Sequence, residues 1–166
     1  MTQLVALSLS IGLLGGVATF LYRAIGLMIW AGFIAWACFF HSGGDTKALK
    51  HTIAGNIFGS VLAYIALWII LNNGLGEIGI ALVVAVTVFA LCMGAHIELF
   101  SVIPAGVYGY AATVAYFLLV VQKAVLADLM GVSFASNPML GVNASLVLGA
   151  LFGLASAKMA AALTKK

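Results

Sequence analysis

Charged residues are the scarcest class in this sequence. Only 7% of its 166 residues are Asp, Glu, Lys or Arg, whereas 65% are hydrophobic. A soluble domain is typically about 25% charged and about 45–50% apolar. So few charges cannot cover a surface that faces water. The composition therefore predicts an integral membrane protein whose main partner is the lipid bilayer.

Cysteines and catalytic motifs are also scarce. Cys38 and Cys92 lie inside apolar runs rather than in loops, so neither a disulfide framework nor zinc-ligand spacing is available. The HExxH, Walker A and GxSxG patterns do not occur. We therefore expect no enzyme activity, no metal and no cofactor. The formal charge of +3 is too small and too scattered to predict a nucleic-acid partner.

Acidic residues are absent from the apolar runs. All four of them lie in predicted connections between helices: Asp45, Glu77, Glu98 and Asp128. A proton-coupled transporter would therefore lack its usual carboxylate carrier in the hydrocarbon. The chain also lacks the run of arginines that a voltage sensor needs.

Long apolar runs make up most of the chain, and they predict about six transmembrane helices. The runs are rich in Ala, Leu and Gly and do not alternate with period two, which favours a helical bundle over a barrel. The predicted helices are Leu4–Tyr22, Ala24–Phe40, Thr52–Leu71, Ile78–His96, Phe100–Val121 and Met139–Leu163. Residues 1–166 would form a single transmembrane domain.

The lysines predict the orientation. With six spans, both termini share one side with the second and fourth loops. That side carries Lys47, Lys50, Lys158, Lys165 and Lys166, and the other carries Arg23 and Lys123. The positive-inside rule then places both termini in the cytoplasm.

Weak internal similarity predicts two inverted repeats, at about residues 3–72 and 77–163. "IWAGFIAWA" (Ile29–Ala37) aligns with "IPAGVYGYA" (Ile103–Ala111), and "GNIFGSVLA" (Gly55–Ala63) aligns with "GALFGLASA" (Gly149–Ala157). A competing register pairs Asn56 with Asn143. Three-helix units in tandem enter the membrane from opposite sides, which is an architecture common in transporters and channels.

Glycine pairs predict close helix packing. Gly12/Gly16, Gly55/Gly59 and Gly149/Gly153 have the spacing that lets two helix backbones approach each other. Such contacts would pack either the third helix against the sixth or one protomer against another, and we expect a homo-oligomer held through glycine-rich faces.

Two asparagines at membrane depth are the first candidate site residues. Asn56 and Asn143 lie in the two proposed halves, and an amide in hydrocarbon needs a polar partner. They either bond neighbouring helices or contact a solute. Trp36 and Tyr110 occupy corresponding positions in the repeat. With Phe40 and Tyr116 they form either ordinary packing and an interfacial belt or an aromatic constriction that binds solute. These six residues are the predicted substrate-binding set.

Two connections leave alternatives open. His41, at the end of the second helix, either gates the mouth by titrating near neutral pH or is an interfacial structural histidine. Pro138 favours a helix start near Met139. The preceding Leu126–Ser136 is either a loop lying on the membrane or a re-entrant segment.

The function predicted from these residues is a channel or facilitator for a small polar, mostly uncharged solute. Polar but uncharged side chains at membrane depth favour it. The alternative is a non-transporting scaffold or accessory subunit that uses the glycine-rich faces to bind a partner.

The segments "WAGFIAWACFFHSGGD" (Trp30–Asp45) and "SNPMLGVNASLVLGALFGLAS" (Ser136–Ser156) carry a family resemblance. With them the chain resembles the YcdZ type of bacterial inner-membrane proteins, a family of unknown function. The resemblance covers nearly the whole chain and implies a bacterial inner-membrane location. It supplies no substrate and no catalytic residues.

Overall fold

Six helices are present in the computed structural model, which describes residues 1–121 and 137–164. They are α1 (Gln3–Ile25), α2 (Ile29–His41), α3 (Thr46–Asn73), α4 (Glu77–Met93), α5 (Ile103–Tyr116) and α6 (Pro138–Leu163). Two 3-10 turns, Gly94–His96 and Glu98–Phe100, connect α4 to α5, and a π-helical stretch, Phe117–Val121, continues α5. The described residues contain no strand, so the all-α prediction is confirmed. The predicted loop or re-entrant segment Leu126–Ser136 lies outside the described residues.

Four of the six helices are long and apolar enough to cross a membrane: α1, α3, α4 with its following turn, and α6. The other two are shorter, with 13 residues in α2 and 14 in α5. At 1.5 Å per residue each is about 20 Å long, whereas the hydrocarbon core is about 30 Å thick. Six apolar helices exist as expected, and within residues 1–121 and 137–164 four of them have the length of a full span.

The boundary between α1 and α2 differs from the prediction. We expected a turn around Arg23, but α1 continues to Ile25 and ends at Gly26, whose φ of 74° is left-handed. The predicted start of the second helix, Ala24, is therefore wrong, because α2 begins at Ile29. Leu27 and Met28, in the turn, are as apolar as the flanking helices, so composition could not mark it.

The start of α3 is the largest correction. The sequence predicted Thr52 as its first residue, but α3 begins at Thr46. Gly43 and Gly44 end α2 with φ values of 123° and 72°. Asp45 then caps α3 by accepting a 2.7 Å hydrogen bond from the Ala48 N–H. A local cap thus extends the helix through a polar stretch that hydropathy assigns to a loop.

The short helices pack along the long ones through glycines. A Cβ on Gly59 of α3 would overlap the Gly106 carbonyl of α5, and one on Gly149 of α6 would overlap the Gly32 carbonyl of α2. The two glycine pairs therefore make close contacts as expected, but their partners are α5 and α2, whereas the sequence had predicted contact between the third and sixth helices. Gly12 and Gly16 of α1 differ, because none of the described residues has an atom within 4 Å of a Cβ built there.

One end of the bundle gathers both chain ends and two connections. Gln3, Gly43, Gly44 and Thr164 line a single pocket of about 460 Å³. Lys47, just after the second connection, lies 3.5 Å from Glu98 in the fourth. The opposite end carries Gly74 and Gly76 between α3 and α4, and Gly79 in the first turn of α4. Their GxGxxG spacing is no dinucleotide fingerprint, since that motif must follow a strand and this one follows a helix.

The outer faces of α1 and α4 are apolar and exposed. Within their most apolar windows only 17% and 11% of the residues are buried. Phe20 and Ile78 are 78% and 80% exposed. Exposed apolar faces of this extent on several helices are typical of a membrane protein, where lipid covers them.

Candidate functional site

Asn56 lies in the interior of the bundle on α3, with 1% of its surface exposed. Neither Oδ1 nor Nδ2 of its amide has a hydrogen-bond partner in the described part of the chain. The backbone of Asn56 packs directly against Gly109 of α5, where no Cβ would fit. Leaving a buried polar group unpaired costs about 1–3 kcal/mol, and in hydrocarbon water does not relieve this cost.

Asn143, on α6, forms the second part of the site. Its Nδ2 donates to the Met139 carbonyl at 2.7 Å and to the Ser60 hydroxyl at 2.9 Å. A carbonyl can only accept, so these contacts fix which end of the amide is the nitrogen. The remaining atom, Oδ1, is buried and has no partner among the described residues.

Two hydroxyls link Asn143 of α6 to α3 and α5. Ser60 of α3 lies 2.7 Å from Thr113 of α5. Asn56 and Ser60 are four residues apart on α3, so their side chains share one face, about 5–6 Å apart at Cβ. We name Asn56, Ser60, Thr113 and Asn143 the amide cluster. The predicted asparagines therefore belong to one constellation.

Ser60 and Thr113 were not among the predicted site residues. The signal was present for Ser60, because it follows Asn56 by one helical turn. The signal for Thr113 was weaker, because its hydroxyl can be placed only after α5 has been packed against α3. Ser60 lies at the middle of the 28-residue α3, so the cluster is deep in the bundle.

Trp36 lies between α2 and α6, with 4% of its surface exposed. Its Nε1 donates to the Ser156 hydroxyl at 3.0 Å. Its ring stacks on Phe33 and Phe152 at centroid distances of 5.8 and 5.7 Å. In this protomer the side chain therefore holds α2 against α6.

Tyr110 holds α5 against α4 in a similar way. Its hydroxyl lies 2.9 Å from the Thr87 hydroxyl. Thr87 has one proton and bonds its own backbone at Val83, so Tyr110 is the donor. Trp36 and Tyr110 are therefore placed in separate buried clusters, one near Tyr22 and one near Leu91.

Phe40 and Tyr116 lie apart from each other. Phe40 lines the pocket at the terminal end of the bundle and packs edge-on against Phe39, with centroids 5.2 Å apart. Tyr116 is 2% exposed and packs with Ala35, Val142 and Leu146 between α2, α5 and α6. Phe40 also packs against the cluster that contains Trp36, whereas Tyr110 and Tyr116 lie in two other clusters, so the predicted aromatic set is divided among three regions of the bundle.

His41, the predicted gating residue, is exposed at the end of α2. Its Nδ1 lies 3.0 Å from the Tyr108 hydroxyl of α5. This bond joins the end of α2 to the middle of α5, the two short helices that the sequence aligned in the repeat. Tyr108 was not predicted as its partner, because the contact depends on how α2 crosses α5.

An open groove along α3 and α6 leads to Asn143. It has a volume of about 560 Å³ and is lined by Ile57, Met139, Leu140, Asn143, Ala144, Val147, Leu148 and Leu151. Asn143 is the polar side chain of this lining. The groove is open at the outer surface, and Asn143 lies in its wall at the edge of the amide cluster.

Comparison with known proteins identifies a family. A family model described as "Protein of unknown function (DUF1097)" matches residues 8–161. No curated protein and no solved structure matches the chain.

Proposed function

We propose that this chain, which belongs to the DUF1097 family of proteins of unknown function, is a membrane channel or facilitator for a small, uncharged polar solute. One observation carries the proposal: the Asn56 amide is 1% exposed, with both polar atoms unpaired. The solute would pass the amide cluster and supply the missing hydrogen bonds. A small amide or polyol loses its hydration on entering hydrocarbon, and fixed protein dipoles can replace that hydration.

The absence of charge at the cluster favours a neutral solute. Its four side chains are amides and hydroxyls, and the ion pair Lys47–Glu98 lies at the end of the bundle with side chains 70% and 84% exposed. An ion at membrane depth needs counter-charges or a ring of carbonyls. Amides that pair with a neutral solute need neither.

We further propose that two inverted three-helix repeats, about residues 3–72 and 77–163, form this path. The glycine contacts support it. Gly32 aligns with Gly106 in the sequence, and these residues contact Gly149 and Gly59 respectively. Helix neighbours agree, since α1 packs on α6 as α4 packs on α3. Pairing Gly59 with Gly149 gives a register that neither sequence alignment proposed.

A flux measurement tests the proposed function. Purified protein in liposomes should raise osmotic urea or glycerol entry above that of empty liposomes. Asn56→Leu, similar in size but without hydrogen-bonding atoms, should lower this rate about tenfold, the factor for ~1.4 kcal/mol in the barrier. Asn73→Leu is the matched control, because Asn73 is exposed at the end of α3 and should leave the rate unchanged. Rates equal to those of empty liposomes for every neutral solute would refute the proposal.

A second candidate function is a scaffold or accessory subunit. The open face of α1 favours it, because no atom of the described residues lies within 4 Å of a Cβ built on Gly12 or Gly16. The same face suits a homo-oligomer, since small residues let a second helix approach. Native mass spectrometry after gentle extraction distinguishes the two candidates. A stable complex with one unrelated protein, without flux, would favour the scaffold.

We propose a bacterial inner membrane with both termini in the cytoplasm, as the YcdZ resemblance and the lysines suggested. The common position of Gln3 and Thr164 at one end supports placing the termini on one side. Expressed in a bacterium, a C-terminal green fluorescent protein fusion should fluoresce, and an alkaline phosphatase fusion should be inactive. The opposite pattern would reverse the proposed orientation.

A further inference from the structure

We infer that the amide cluster selects its solute by hydrogen-bond direction, accepting small solutes that bring N–H donors as well as a carbonyl, such as urea and primary carboxamides. This inference rests on the proposed function and narrows its solute class. Two features of the structure carry it. One is the direction of the bonds that link Asn143 to α5, and the other is the unpaired amide of Asn56.

The direction of the chain of bonds follows from counting protons. Asn143 uses both N–H groups, one on the Met139 carbonyl and one on Ser60. Thr113 has a single proton and lies 2.9 Å from the Gly109 carbonyl, which can only accept. Ser60 must therefore donate its own proton to Thr113. Every N–H and O–H of these three side chains is used.

Only acceptor capacity is left at this end of the cluster. The Asn143 Oδ1 is buried and unpaired, and the hydroxyl oxygens keep spare lone pairs. A solute that contacts Asn143 must therefore donate a hydrogen bond. A solute with acceptors alone would bring its lone pairs against the oxygen of Asn143 and leave that oxygen unpaired.

Asn56, four residues before Ser60 on α3, adds hydrogen-bond donors to the cluster. Its Nδ2 offers two N–H donors and its Oδ1 one acceptor, all unpaired. A primary carboxamide can form the paired N–H···O bonds of an amide dimer with Asn56 and direct its second N–H to an acceptor such as Asn143 Oδ1. Urea has the same groups with two further N–H donors. A tertiary amide of similar shape can accept from Asn56 but cannot satisfy either oxygen.

Competition against radiolabelled urea tests this inference. Passive leak of urea through the lipid does not interfere, because a competing solute inhibits only the protein-dependent uptake. Proteoliposomes take up radiolabelled urea in the presence of acetamide or of N,N-dimethylacetamide, which keeps the carbonyl and loses both N–H groups. We expect acetamide to inhibit protein-dependent uptake at a concentration about tenfold or more below that of the dimethyl compound, because unpaired buried site groups reject the analogue.

Ser60→Ala provides a directional control. The substitution removes the acceptor of one Asn143 N–H and frees that donor. The inhibition by N,N-dimethylacetamide should therefore move toward that by acetamide, a change that loss of packing alone would not produce.

The outcomes separate the two proposals. Protein-dependent urea uptake inhibited equally by both compounds in the unsubstituted protein would overturn the directional selection and leave the facilitator intact. Absence of protein-dependent uptake for every neutral solute would overturn the facilitator and this inference with it. Preferential inhibition by acetamide supports both.

Discussion

Alanine at Gly59 is expected to destabilise the protein strongly, because the added methyl group has no room in the α3–α5 contact. A Cβ at this position would overlap the Gly106 carbonyl and approach the Tyr110 nitrogen at 2.9 Å. These are backbone atoms of a packed helix, so relief requires the helices to separate. Overpacking typically costs about 1–3 kcal/mol, which exceeds the ~1 kcal/mol that alanine gains in helix propensity. The melting temperature in detergent should fall.

The control for Gly59→Ala is Gly12→Ala on α1, where nothing lies within 4 Å of the added carbon. It should leave the melting temperature of the monomeric fraction unchanged or raise it slightly. Gly149→Ala should behave like Gly59→Ala, because its Cβ would overlap the Gly32 carbonyl. Equal melting temperatures for Gly59→Ala and Gly12→Ala would contradict the close approach of α3 and α5.

Trp36→Ala should cause the second large loss of stability. The substitution removes the ring between Phe33 and Phe152 and the bond to Ser156, and leaves a cavity between α2 and α6. Such truncations cost about 3–5 kcal/mol in soluble cores. We expect the lower end of this range, because lipid tails are as apolar as the core and the transfer term is small. Reversible unfolding in mixed micelles measures the free energy of unfolding.

Two further variants separate packing from hydrogen bonding at Trp36. Trp68→Ala is the control, because Trp68 is 47% exposed and its loss opens no interior cavity. Trp36→Phe keeps an aromatic ring and should cost about 0.5–1.5 kcal/mol, the net value of a hydrogen bond. It should also retain solute flux, since the ring positions α2 and does not join the amide cluster. Loss of flux with unchanged stability would instead assign Trp36 to the solute path.

The sequence predicted the helices better than their ends. Apolar runs located six helices, because a segment that lies in hydrocarbon must be apolar along its whole length. Ends depend on single residues and on the backbone. Gly26 ends α1 three residues after Arg23, where the turn had been expected, and Asp45 starts α3 within a polar stretch. Hydropathy does not mark either of these two helix boundaries, so it could not locate them.

The candidate site was only partly predictable for a related reason. Asn56 and Asn143 were identifiable because an amide is costly in hydrocarbon wherever it lies. Ser60 and Thr113 could join them only after α3, α5 and α6 had been packed together. The aromatic residues show the converse, because the sequence grouped Trp36 with Tyr110 and the structure places them in different clusters.

Composition by itself determined that the chain is all-helical and apolar enough for a membrane, because backbone groups in hydrocarbon must bond within the helix and charged side chains are costly there. Tertiary structure alone decided which glycines pack inside the protomer and which asparagine is left unpaired. Gly12 and Gly59 look alike in sequence, but only one faces another backbone. Hydrogen-bond direction also depends on three helices meeting, so the acceptor character of Asn143 could not be derived from one helix at a time.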